Sequence, residues 1–172
     1  MIKPSGASQL IIRMKKGRDG PHSLACSRPD GSVTIQHNRH AFFPPHDLTH
    51  YAVESVLGYT RGFYGLVADG WDLADFGTPW PRGLLPKDLD PAEVIAGRLD
   101  LERASGERLN VAELNAFVAD WYCQQRPEEP VSRPVTTDEL ARIHRLRGEL
   151  HARWHALEPG EVIELRFPPD PE

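Results

Sequence analysis

The chain has 172 residues, 40% of them apolar and 26% charged, and a formal net charge of -5 from 20 Lys and Arg against 25 Asp and Glu. That size and mix allow a real hydrophobic core; no run approaches the ~18 apolar residues of a bilayer span and no signal-peptide apolar region opens the chain, so the protein is expected in the cytoplasm. The negative balance gives no reason to expect a nucleic-acid or membrane partner, and Cys26 and Cys123 form no CxxC, so both are expected as buried free thiols.

In chain order, residues 9–14 (QLIIRM) are β-prone and end at a turn-rich break from Gly17 to Gly20. Residues 22–27 and 32–37 follow, joined by Arg28-Pro29-Asp30-Gly31, in which Pro pre-sets φ and Gly supplies a left-handed position. This predicts a three-stranded antiparallel meander within residues 1–43. Its last strand carries Val33, Ile35 and His37 on one face and Thr34 and Gln36 on the other. Residues 1–45 hold seven basic and two acidic side chains, which leaves a net of -10 for the remainder. Lys15, Lys16 and Arg18 read as a solvated hairpin end.

Pro45 opens a helix to Leu57, with Gly58 as its stop. The apolar stretch 63–68 lies among Gly62, Gly65 and Gly70, which predicts a short, closely packed helix. Residues 58–65 lack the Lys-Ser/Thr ending of a phosphate loop and read as a tight junction between helices. Residues 71–87, rich in Gly, Pro and Trp, read as an ordered surface loop, whose Trp71, Phe76 and Trp80, together with Tyr59, anchor it or wall a pocket. Asp90-Pro91-Ala92-Glu93 carries N-cap, first-turn proline and first-turn acid signals for a helix ending near Ala104. Asn110 caps a helix to Gln125 with an apolar stripe of Val111, Leu114, Phe117, Val118 and Trp121.

After a proline-rich connector at 126–135, Thr136 and Glu139 form a capping box. Leu140, Ile143, Leu150, Trp154 and Leu157 then keep helical spacing. Residues 161–167 alternate as a final strand. The order predicts one α+β domain. An N-terminal antiparallel β-meander (1–43) is joined by the C-terminal strand (161–167) and packed with about four to five helices within 44–160.

Eight histidines carry the functional signal. Residues four apart on a helix differ by ~40° and ~6 Å, so His46 and His50 can present two imidazoles to one ion. Glu54 continues the stripe, but eight residues is ~12 Å of rise, too far for a straight helix to give one ion all three ligands. Glu54 therefore reads as a group fixing the His50 ring, or as a ligand if the helix bends. Leu48, Tyr51, Ala52 and Val56 define the opposite, core face, whereas Val53 and Leu57 share the histidine side. The helix should be covered on both sides, with the histidines lining a cleft. A third ligand has to come from elsewhere. His37 and His40 lie just before the helix, and the C-terminal helix carries a second HxxxH pair, His151 and His155, with His144 one face-repeat earlier. His22 reads as structural or exposed.

Locally, His46-Asp47-Leu48-Thr49-His50 resembles the HExxH helix of zinc peptidases, with Asp47 where that helix carries its general-base glutamate. It also resembles the HDxxH metal helix of a ubiquinone-biosynthesis protein family, whose remote glutamate lies further downstream than Glu54 does. Each resemblance covers five to nine of the 172 residues. The first implies that Asp47 activates a metal-bound water. The position of Asp47 in the first helical turn equally fits a carboxylate complementing exposed N–H groups. The sequence thus points to a small intracellular metal-binding protein holding a divalent ion, with zinc favoured by imidazole and carboxylate ligands. Its ligands would be His46 and His50, joined by His151 or His155. As a metal-dependent hydrolase it would take a small-molecule or peptide substrate, with Asp47 or Glu54 handling the proton. The alternative is a non-enzymatic interaction domain in which any metal is structural and the aromatic loop at 71–86 forms the contact surface. Decarboxylation and oxygen chemistry fit the same ligand types.

Overall fold

The computed structural model describes residues 9–77 and 84–169; Trp80 lies outside them. Four strands, β1 (Leu10–Lys15), β2 (His22–Ser27), β3 (Val33–Asn38) and β4 (Val162–Phe167), form an antiparallel sheet in the order β3-β2-β1-β4. The meander is as the turn chemistry predicts: Gly31 takes φ 85, closing the β2–β3 turn. The returning strand pairs with β1, setting Leu10 opposite Phe167 and Lys15 opposite Val162.

Alternation decides which side of the sheet is core. Leu10, Ile12, Met14, Leu24, Cys26, Ile163, Leu165 and Phe167 are all buried on the helical side. On β3 the inward residue is Thr34, whose hydroxyl accepts from the Leu73 amide at 3.0 Å, while Val33 and Ile35 face outward and are more than half exposed. Of the two thiols, Cys26 is buried, and burial raises its pKa to about 12; Cys123 is exposed, contrary to the expectation of two buried thiols.

The described residues form five α-helices: α1 (Phe43–Leu57), α2 (Phe63–Ala68), α3 (Ala92–Ser105), α4 (Val111–Gln125) and α5 (Thr137–Ala156). Helix α1 starts two residues earlier than predicted, so Pro44 and Pro45 sit in its first turn, where no amide donor is needed. Its C-terminus is closed by Gly58 at φ 67. Leu48 and Tyr51 join the core over the sheet, with Trp154 and Leu150 of α5. Val53 and Leu57 join a second core with Ile95 and Leu99 of α3, Leu114 and Val118 of α4, and Ile143 of α5. The helix is therefore covered on both sides; Val56, expected with Leu48, packs into the second core instead.

The capping boxes at Asn110 and Thr136 both form. The α4 stripe is shifted: Leu114, Val118 and Tyr122 are buried, and Phe117 is 40% exposed beneath the Arg98 guanidinium. The loop after α2 contains a 3-10 turn (Leu73–Phe76) that buries Leu73. Lys16 is not simply solvated: its ammonium donates to the Leu157 carbonyl at 2.8 Å and lies near those of Trp154 and His155, where the C-terminus of α5 favours a cation. No described helix is long and apolar enough to cross a membrane.

Candidate metal centre

The site is built on α1 and on the first two turns of α3, which lie side by side across the second core. The four-residue spacing puts His46 and His50 on one face, their ring centroids 4.7 Å apart and nearly perpendicular. The Nε2 atoms of both rings face the carboxylate of Glu93, at 3.7 Å from His46 and 2.8 Å from His50. One ligand atom from each of the three residues lies within 4.8 Å of the others, a group that can hold a metal ion.

Behind each ring stands a second carboxylate. The Nδ1 of His46 donates to Asp100 Oδ2 at 2.6 Å, and that of His50 to Glu54 Oε1 at 3.2 Å. Asp100 lies two helical turns after Glu93, so α3 supplies both the carboxylate in front of His46 and the one behind it. Phe42 stacks on His46 at 5.2 Å, and Phe63 packs against His50 at 5.4 Å, fixing the outer faces of the rings.

Glu54 is fully buried and belongs to two structures at once. Its carboxylate accepts amides from Phe63 at 2.8 Å, Tyr64 at 3.0 Å and Gly65 at 3.2 Å, satisfying the exposed N–H groups at the start of α2. Gly62 makes this approach possible, since a Cβ there would sit 2.5 Å from Glu54 Cδ. Gly65 has no room either, since a Cβ there would collide with the Thr60 carbonyl. The glycines thus form the tight junction between α1 and α2. With its lone pairs spent on these donors and on His50, Glu54 is a positioning residue that orients the His50 ring.

These surroundings set the charges. Burial opposes charging His46, but hydrogen bonds to Asp100 and Glu93 outweigh it and raise its pKa to about 9. Burial likewise opposes His50, and its bonds to Glu54 and Glu93 raise it to about 10. The same two bonds, His46 first, hold the Glu93 carboxyl below its ordinary value. Asp47 moves the other way: burial raises it to about 7, against the lowering pull of His50 and His46. Asp47 is among the residues that line the same pocket as both rings.

The remaining predicted residues lie elsewhere. His151 Nε2 donates to the Pro45 carbonyl at 2.9 Å and lies 3.3 Å from the Thr49 hydroxyl, and its pKa is lowered to about 4, chiefly by burial. His155 is exposed on α5, His37 is exposed on β3, and His40 is exposed between β3 and α1. His144 bonds to Glu102 at 2.9 Å, and His22 accepts the Gly17 amide at 3.0 Å. The second HxxxH pair thus ties α5 to α1 through His151 and does not reach the cluster.

Comparison with family models, with curated proteins and with solved structures finds no match. The chemistry is therefore read from these side chains.

Glu93 and Asp100 are the residues that sequence reasoning missed. In the sequence Glu93 satisfies the rule for a first-turn acid, and Asp90 the rule for a helix cap. In the structure Pro91 occupies the N-cap position, and the Asp90 carboxylate instead accepts the amides of Thr60 and Arg61 at 3.1 and 2.7 Å. Three acids at seven- and three-residue steps along one helix start, more than capping requires, were the available signal.

Proposed function

We propose that the protein binds one divalent cation through His46, His50 and Glu93 and uses it for hydrolysis, with zinc the ion that best suits two imidazoles and a carboxylate. The observation that carries the reading is the convergence of the three donors with a carboxylate behind each imidazole, Asp100 for His46 and Glu54 for His50. Such backing fixes which nitrogen is free for an ion and raises its basicity. Three donors with Glu93 76% exposed suit an open, reactive site better than a closed structural one.

The ion would supply a Lewis acid and lower the pKa of a water. The chain supplies the rest. His46 and His50 hold fixed positions on a buried helix, and Glu93 closes the donor set from across the cleft. Asp47, one residue after the first ligand and among the residues lining the same pocket, would take and return a proton. Glu54 orients His50 and takes no part in proton transfer.

Zinc binding to chelator-treated protein, followed by equilibrium dialysis, tests the reading. One ion per chain is expected, with loss of binding in His46→Ala, His50→Ala and Glu93→Ala. Hydrolysis of aryl esters and peptide amides by the zinc-loaded protein should vanish in Asp47→Asn while zinc is retained. Full zinc binding in all three ligand variants would remove the proposal.

A further inference from the structure

The donor cluster sits at one end of a pocket of about 490 Å³, a volume typical of small-molecule sites. His46, His50 and Glu93 form the donor cluster, and Phe63, Leu66, Leu73, Phe76 and Leu85 line the same pocket. Of the other charged groups lining the pocket, Arg61 is paired through its terminal nitrogens with Asp88 at 2.7 Å and Asp69 at 3.3 Å and keeps a buried Nε without a partner, and Asp90 accepts the amides of Thr60 and Arg61. The walls thus offer rings and branched aliphatic groups, with the terminal nitrogens of Arg61 committed to two carboxylates.

The aromatic walls are locked in place. Phe63 packs against Phe76 at 4.7 Å and against His50 at 5.4 Å, which joins the wall directly to an ion-facing imidazole. Leu66 and Leu73 are each 1% exposed, and Leu73 belongs to the core over the sheet. A pocket wall braced in this way selects by shape as well as by polarity. A peptide backbone would bring unpaired amides against these walls at a cost of about 1–3 kcal/mol per buried group, which argues against an extended peptide.

We infer that the substrate is a small molecule with an apolar, ring-sized body lying between Phe63, Phe76 and Leu85 and a single oxygen-rich head group at the His46–His50–Glu93 end. The inference rests on the metal-site reading for the head group and on the pocket walls alone for the body.

The two parts separate in one set of titrations followed by calorimetry. Acetohydroxamate and 2-naphthohydroxamate share an ion-binding head and differ in the apolar body. On zinc-loaded protein the naphthyl compound should bind at least about tenfold more tightly, since its ring system leaves water for the walls. Leu85→Asp, at a residue already 41% exposed, should remove most of that difference without unfolding the chain. Equal affinities for the two compounds would overturn the inference and leave the metal reading intact. On chelator-treated protein the naphthyl compound should still bind, more weakly, and Leu85→Asp should weaken it further. If zinc fails to bind at all, that titration decides alone. Binding sensitive to Leu85→Asp supports the apolar body, and no binding overturns it.

Discussion

Replacing Asp100 by Asn tests the centre at the point where its geometry is most explicit. The substitution keeps shape and volume and removes the charge behind His46, 2.6 Å from its Nδ1. A hydrogen bond to a charged partner contributes about 1.5–3 kcal/mol, and loss of a carboxylate behind a metal-bound imidazole weakens the metal by about 10- to 100-fold. The two figures agree, because a tenfold change corresponds to about 1.4 kcal/mol. Zinc affinity of Asp100→Asn should therefore fall by one to two orders of magnitude. Competition against a chromophoric chelator measures it, with circular dichroism confirming that α3 is intact. Unchanged affinity in a folded variant would refute the claim that His46 meets an ion through the nitrogen opposite Asp100.

Zinc binding should release protons. With pKa values of about 9 and 10, both imidazoles are charged at neutral pH and must give up their protons to the ion. Calorimetry in two buffers of different ionisation enthalpy should show about two protons released per zinc at pH 7; none released would contradict the carboxylate pairing. Stability of the metal-free protein follows the same groups: their folded pKa values lie above the ordinary 6.5, so their contribution is complete below about pH 6.5 and is lost as pH rises through about 9 and 10. The rise in melting temperature caused by zinc should consequently widen from pH 6 to pH 9, and a constant or shrinking rise would count against the assignment. Glu54→Gln should cost about 3 kcal/mol in urea unfolding, because the amide places a donor against the amides of α2; a cost below about 1 kcal/mol would mean that the carboxylate is not needed there. His151→Ala and His155→Ala should keep one zinc per chain with affinity within about twofold, since neither side chain belongs to the cluster.

What the sequence made legible was local and periodic. His46 and His50 could be paired because helical spacing alone puts them on one face, and Val53 and Leu57 announced that this face would be covered. Glu93 was hidden by a coincidence of roles. An acid in a first helical turn satisfies a local rule, and nothing over the 43 residues from His50 records that the turn lies against α1. Orientation of the sheet was hidden in a similar way. Alternation on β3 separates Thr34 from Val33 and Ile35, but the side that faces inward is settled by pairing, which sets Thr34 beside buried Cys26 of β2. The second HxxxH pair shows the converse: His151 and His155 have the right spacing, yet a carbonyl of α1 takes the first and solvent the other.

The pairing of β1 with β4 orders events in time. Leu10 meets Phe167, so the ladder joins segments about 150 residues apart, and its closure comes late however strong the local helices are. A chain growing from its N-terminus holds β1 with one edge open until β4 is made. During that interval the meander and α1 are already complete in sequence, but their core lacks Ile163, Leu165 and Phe167. Shortening the chain by its final strand should therefore uncover Ile12 and Met14 and favour association through the bare edge of β1 during synthesis.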